Sequence, residues 1–233
     1  VDGYSSTYLL YDYFSNINID CDFYIPDRFL DGYGPNTSLL NKLINKKNYG
    51  LVFFVDCGSN SYDEIMLLES FGLKTIIIDH HQIHKKNKFK NTVIINPLKK
   101  LVIDQDSYFC ATSLVYFFIK YLFNDMKVKK KINLDKYLFF SAIATICDQM
   151  PLRGTNRKIV KIGLQNFNLN NFTNLKRLLI SKKKISSSDI GFSLGPILNS
   201  ASRVGDSTLP FKLLIEKKKT LIEKMSKKLI NFN

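Results

Sequence analysis

The three histidines of the chain, His80, His81 and His84, all fall within five residues and follow the run Thr75-Ile-Ile-Ile-Asp79. Apolar and β-branched residues running into an acid and two imidazoles read as a buried parallel strand that delivers metal-ligand side chains at its carboxyl end. With no other histidine in the chain, any further ligands must be carboxylates. Leu51-Val-Phe-Phe-Val-Asp56 repeats the design, an apolar run closed by an acid, and a helix-length segment from Tyr62 to Phe71 separates the two runs. Strand, helix, strand is a βαβ unit, whose crossover sets the strands parallel, about 4.8 Å apart when they are neighbours. Asp56 and His80 then reach one cation at the sheet edge where open α/β folds bind their ligands.

Two more acids carry a related signal. Asp148 closes the apolar stretch Tyr137 to Cys147, and a negative charge at a helix C-terminus opposes the macrodipole unless a cation compensates. A surface acid ending a helix before Pro151 is the plain alternative. Asp2 and Gly3 face a helical stretch, Ser5 to Asn16, with no strand in front of them. They look like the tail of a longer motif, and a chain that opens on Val1 rather than Met is expected to be a fragment.

The elements that position these residues alternate. Strands are expected at Cys21–Pro26, Leu51–Asp56, Thr75–Asp79 and Thr92–Asn96, with helices from Thr37 or Ser38 to about Lys47, Tyr62–Phe71, Ala111–Phe123, Tyr137–Cys147 and Lys158–Phe167. Four strands among helices indicate an α/β fold with a mainly parallel, doubly wound sheet flanked by helices. A long basic C-terminal helix follows, Leu209 to Phe232, with Leu213, Leu214, Leu221, Ile222, Met225 and Leu229 as its apolar stripe. The runs Lys127 to Lys131 and Lys182 to Lys184 read as solvated loop and linker.

At 233 residues and 45% hydrophobic, the chain can bury a sizeable core. No apolar run approaches the roughly 20 residues of a membrane span, and no export pattern opens the chain, so a soluble, cytoplasmic protein is expected. Cys21, Cys57, Cys110 and Cys147 form no CxxC pair, which removes support for zinc-ribbon and thioredoxin readings. A formal charge of +14 favours a polyanionic partner, although lysine is spread over the whole chain.

In this order the pieces resemble the DHH phosphoesterase family, and within it the RecJ-type exonucleases specific for single-stranded DNA. The resemblance is carried by Val1-Asp2-Gly3, Val55-Asp56-Cys57-Gly58, Asp79-His80-His81, Asp148 with Pro151-Leu152, and Asn156-Arg157. Pro26-Asp-Arg28-Phe29 with Gly32-Tyr33-Gly34, and Gly195-Pro196 to Arg203, are similar to segments of the RecJ branch. Ile197 stands where that branch has arginine, and Ser200 and Ser202 replace alanine and glycine.

The resemblance implies a two-metal exodeoxyribonuclease that digests single-stranded DNA 5′ to 3′ in repair and recombination, with Mn2+ or Mg2+ as cofactor. Carboxylate and imidazole donors suit those ions. By motif position Asp2, Asp56, His80 and Asp148 would be metal ligands. His81 would contact the scissile phosphate, Asp79 would orient an imidazole, and Arg28, Arg203, Asn156 and Arg157 would contact nucleic acid. It further implies a DHH domain over residues 1–205 and a connecting helix over 206–233 leading to a second catalytic-core domain, so this stretch alone is expected to be inactive. Single-strand-binding protein or a helicase are the candidate protein partners. Two alternatives fit the same motifs: a phosphodiesterase for short oligonucleotides or cyclic dinucleotides, and a catalytically silent structural relative.

Overall fold

The two apolar runs that end in acids form adjacent strands, as their composition requires. In this computed structural model, β1 (Leu51–Val55), β2 (Lys74–Ile78) and β3 (Thr92–Ile95) make a parallel sheet in the order β1-β2-β3. The structure describes the chain except residues 28, 30, 85–87, 100–107, 126–131, 168–171, 173 and 180–183. The lysine run 127–131 and most of 182–184 therefore lie outside the described residues.

Around the sheet stand α1 (Asp2–Asn16), α2 (Thr37–Lys46), α3 (Tyr62–Ser70), α4 (Ala111–Asp125), α5 (Leu134–Cys147) and α6 (Gly154–Gln165). A single turn α7 (Ser187–Asp189), a π-helical turn at Ile190–Leu194, and helices α8 (Gly195–Arg203), α9 (Leu209–Ile215) and α10 (Lys219–Phe232) complete the chain. Alternation along the strands divides the core in two. Phe53, Val55, Ile76 and Ile78 pack with α1, α4 and α5 through Leu9, Tyr13, Val115, Ile119, Tyr137 and Ile143. Val52, Phe54, Ile77 and Ile94 face the other way, onto Leu40 of α2 and Ile65 and Leu68 of α3. Helices on both faces explain why the strands read as continuous apolar runs. The doubly wound arrangement is the expected one.

Helix α5 is apolar nearly all round, with Tyr137, Phe139, Phe140, Ala142, Ile143 and Ala144 buried, as befits a helix packed on every side. On one side it meets α6 at Gly163, where an added Cβ would lie 2.8 Å from the Ala142 Cβ and 2.9 Å from the Leu138 carbonyl oxygen. On another it meets α8 at Gly195, where a Cβ would lie 2.7 Å from the Cys147 Sγ. Gly195 thus serves helix packing at the start of α8.

Two expectations are corrected. Cys21–Pro26 keeps a strand-like alternation, with Phe23 and Ile25 packed on the main core. It nevertheless joins no ladder among the described residues, because a strand needs a neighbour. A cavity of about 870 Å³, lined by Phe14, Phe23, Ile25, Tyr49 and Phe53, separates it from β1. The expected helix Leu209–Phe232 is broken into α9 and α10. The Asn174 amide nitrogen lies 2.7, 2.9 and 2.9 Å from the carbonyl oxygens of Leu213, Leu214 and Glu216, satisfying the end of α9. The Glu216 carboxylate accepts from the amides of Lys217 and Lys218 at 2.8 and 2.9 Å, which fixes the turn between the two helices. Periodicity alone cannot reveal such a break, since the apolar stripe runs across it.

Gly163→Val is expected to destabilise the fold by about 1–3 kcal/mol, the usual range for overpacking. Its denaturation midpoint, measured in urea, checks this. A midpoint at the level of the unsubstituted protein would remove the close α5–α6 contact from the account.

Candidate metal centre

The register pairs Val55 with Ile78 and Ile78 with Ile95, so the residues after the three strands, Asp56, Asp79 and Asn96, share one edge. The ladder runs one step further, with the Asp56 amide donating to Ile78 at 3.0 Å and the Asp79 amide to Ile95 at 3.1 Å. Asp56 then turns through the left-handed region, φ 58°, a conformation that costs a residue with a Cβ about 1 kcal/mol or more.

His80 is the centre of the arrangement. Its Nε2 lies 3.1 Å from Asp56 Oδ1, 3.6 Å from Asp2 Oδ2 and 3.6 Å from Asp148 Oδ2. Potential ligand atoms of Asp2, His80 and Asp148 lie within 4.8 Å of one another, and so do those of Asp56, His80 and His81. Two adjoining donor sets therefore share His80, built from the start of α1, the ends of β1 and β2, and the end of α5.

Each ligand is held from behind. Asp2 sits on the amino-terminal turn of α4. Its Oδ2 accepts from the Ala111 amide at 2.6 Å, and its Oδ1 from the Thr112 amide at 2.7 Å and hydroxyl at 2.5 Å. Helix N-termini favour negative charge, so α4 holds an acid that is 4% exposed. Asp148 caps α5, whose last turn closes by the Gln149 amide donating to Ile146 at 3.1 Å and the Met150 amide to Thr145 at 3.0 Å. Gln149 occupies the left-handed position that glycine usually fills there, φ 54°. Gly3 leaves room for Asp56, whose Oδ2 would lie 3.1 Å from an added Cβ.

Asp79 faces inward. Its Oδ2 accepts from the Ser59 amide at 3.0 Å, and its Oδ1 from the His80 amide at 2.8 Å and His81 Nδ1 at 2.7 Å. A carboxylate only accepts, so the His81 proton sits on Nδ1, leaving Nε2 for chemistry. The Asn96 amide ties this turn together, donating to the Ser59 hydroxyl and the His81 carbonyl, both at 2.9 Å.

The protonation balance shows a site short of positive charge. Burial and the nearby Asp2 push Asp56 up to about 6. Asp148 is raised by the same two causes in the same order. Burial works against a charged His80, yet the hydrogen bond to Asp56 and the charges of Asp2, Asp56 and Asp148 carry it up to about 9. Burial opposes ionisation of Asp79 as well, but hydrogen bonds from His81 and Ser59 hold its carboxyl well below the usual range.

The structure therefore brings together Asp2, Asp56, Asp79, His80, His81 and Asp148. Of the remaining candidates, the structure describes Asn156, Arg157 and Arg203. Asn156 is 3% exposed, and its amide brackets two loops by donating to the carbonyls of Tyr108 at 2.6 Å and Pro151 at 3.1 Å. These bonds give its nitrogen a bracing role, while its buried Oδ1 has no hydrogen-bond partner among the described residues. Arg157 and Arg203 are exposed, and Arg28 lies outside the described residues. Sequence reasoning missed Ala111, Thr112, Ser59 and Asn96. The small run Cys110-Ala111-Thr112-Ser113, opening a helix with no acid of its own to cap it, is the signal that was there for the first two.

The donor set suits a divalent cation: carboxylate and imidazole atoms converging within 4.8 Å, no sulfur among them, and acids whose mutual repulsion a cation would relieve. Comparison with known proteins agrees in fold and motif. The single-stranded-DNA-specific exonuclease RecJ of Bacillus subtilis (strain 168) is 28% identical over 240 residues, covering 100% of this chain and 29% of that protein. The exonuclease of the same description from Escherichia coli (strain K12) is 28% identical over 207 residues, covering 83% of this chain and 36% of that protein. The chain thus spans about a third of the length of these relatives. Among solved structures, an exonuclease RecJ bound to manganese superposes with a TM-score of 0.86 at 23% identity, over 99% of this chain and 58% of the other. RecJ from Thermus thermophilus in complex with Mn2+ gives 0.82 at 21% identity, over 99% of this chain and 33% of the other. The DHH family, N-terminal domain, matches residues 1–145, more than half of the chain and three of the four acids that surround His80 and His81, and the chain belongs to that family.

Proposed function

We propose that the protein is a metal-dependent exonuclease that digests single-stranded DNA 5′ to 3′ in repair and recombination. The observation that carries this reading is the convergence of Asp2, Asp56 and Asp148 on His80 at the carboxyl edge of the sheet. Relatives that match the whole chain are described as single-stranded-DNA-specific exonucleases, and solved RecJ structures hold Mn2+ or Mg2+. Asp2, His80 and Asp148 would hold one ion, with Asp56 on the side shared with a second. Bound there, divalent ions lower the pKa of water and clamp phosphoryl oxygens, the chemistry that phosphodiester hydrolysis needs.

The chain's own residues do the rest. Asp79 accepts from His81 Nδ1 and raises the imidazole's pKa, so that in the protonated ring Nε2–H would donate to an oxygen of the scissile phosphate. Ser59 and Asn96 lock the turn on which both imidazoles sit. Arg203 and Arg157, exposed and outside the donor sets, supply phosphate contacts along a strand, with Arg28 assigned the same role by motif position. The reading further assigns residues 1–205 to the DHH domain and 206–233 to a connection toward a second catalytic-core domain. Its setting is the cytoplasm, beside a single-strand-binding protein or a helicase that exposes strands. No helix of the described residues is long and apolar enough to cross a membrane.

In the complete protein, Asp56→Ala and His80→Ala are each expected to lower Mn2+-dependent digestion of 5′-labelled single strands by about 10³-fold. Losing a ligand removes several kcal/mol of transition-state stabilisation. Undiminished digestion would overturn the assignment, and faster turnover of dinucleotides than of long strands would move it to the short-substrate branch. Asp79→Asn keeps an acceptor but loses its charge, and is expected to cost about 10–100-fold, as for outer partners of metal-site imidazoles. A rate equal to that of the unsubstituted protein would show that His81 does not depend on Asp79. Arg203→Ala should weaken single-strand binding and lower the slope of log affinity against log salt by about 0.7, the change for one phosphate contact. An unchanged slope removes Arg203 from the binding path.

A further inference from the structure

The two sides of the candidate ligand Asp2 are not equivalent. A carboxylate offers about four lone-pair positions. Oδ1 uses two of them on a single residue, accepting from the Thr112 amide at 2.7 Å and from the Thr112 hydroxyl at 2.5 Å. Oδ2 accepts only the Ala111 amide, at 2.6 Å, and it is the oxygen that lies 3.6 Å from His80 Nε2. The Thr112 hydroxyl has a second acceptor within reach, the Asp2 backbone carbonyl, but at the longer distance of 3.1 Å. A charged acceptor at the shorter distance takes the proton. Thr112 is fully buried, so water cannot replace it.

We propose that Thr112 is a positioning residue for Asp2, an inference that rests on the metal-centre reading above. The Ala111 and Thr112 amides come with any residue at those positions. The hydroxyl belongs to Thr112 alone, and it locks Oδ1 away from the pocket so that Asp2 presents one oxygen, Oδ2, in one orientation. Without it, Oδ1 keeps a single donor and the carboxylate is free to rock, spreading its charge over orientations of which only some serve a cation. The residue is 110 positions away in sequence from the group it holds, and it joins the α1 and α4 segments of the centre.

The test is direct Mn2+ binding to the complete protein, followed by the loss of the free-ion electron paramagnetic resonance signal, with melting measured in the absence of metal. Thr112→Val removes the hydroxyl and keeps the shape, and its Mn2+ affinity should fall about 10–100-fold with little change in metal-free melting. Thr112→Ser should return affinity to within about twofold, and Asp2→Ala should lose the site. Wild-type affinity in Thr112→Val, with Asp2→Ala defective, overturns the proposal and leaves the metal centre standing. Asp2→Ala binding as well as the unsubstituted protein overturns both. Should Thr112→Val and Thr112→Ala both fail to fold, the hydroxyl is structural and the proposal is overturned; a serine variant as weak as valine does the same.

Discussion

Like charges held a few ångströms apart in a partly buried site repel strongly, and three carboxylates meet in this way around one imidazole. Asp2, Asp56 and Asp148 lie 3.1–3.6 Å from His80 Nε2, and they come from α1, the end of β1 and the end of α5. Nothing in the packing forces these side chains together for stability. A buried acid without a matching cation costs more than an apolar residue of the same size. In the absence of metal, the charge deficit is met partly by protonation, with His80 held as a cation and Asp56 raised toward neutrality. That is a weaker solution than a divalent ion, which would satisfy the same oxygens at once. The repulsion is therefore the mark of a site shaped for something it binds.

The fold answers this constraint with backbone dipoles. Asp2 is paired with the amino-terminal turn of α4, where two amides point at its carboxylate, and this compensates one charge before any cation arrives. Asp148 is at the wrong end of a helix by the same rule, and burial and Asp2 raise its pKa, while the closed turn after α5 holds the helix end together. Asp79 takes a third course. Buried and surrounded by donors from Ser59, His80 and His81, it stays ionised and holds the turn that carries both imidazoles. Asp2, Asp148 and Asp79 thus have separate electrostatic settings. The differences follow from which backbone groups each one faces.

Much of this was legible in the residues themselves. Apolar runs ending in Asp56 and in Asp79-His80-His81 reported two adjacent parallel strands, because strands covered on both faces leave no polar alternation to confuse the pattern. The dipole argument at Asp148 was legible too, being a conflict between one residue and its own helix. What stayed hidden depended on contacts between remote segments. The grip of Ala111 and Thr112 on Asp2 needs α1 and α4 side by side. The break between α9 and α10 is made by Asn174, nearly 40 residues earlier. Cys21–Pro26 has the composition of a strand, and whether it becomes one is decided by what lies beside it. Asn156 carries contacts the motif did not show, its side-chain nitrogen donating to the carbonyls of Tyr108 and Pro151.

The cysteines explain why the donor set stays hard. Three of the four flank it in sequence: Cys57 follows Asp56, Cys147 precedes Asp148, and Cys110 precedes the residues that grip Asp2. Thiolates so placed would draw zinc or other soft ions ahead of manganese or magnesium. Burial, and then the neighbouring acids Asp79 and Asp56, push Cys57 up to about 12. Burial foremost carries Cys147 up to about 11, with Asp148 and Asp2 adding to it. Burial thus keeps the adjacent sulfurs protonated, with the acids adding to it, and neither donor set contains a sulfur.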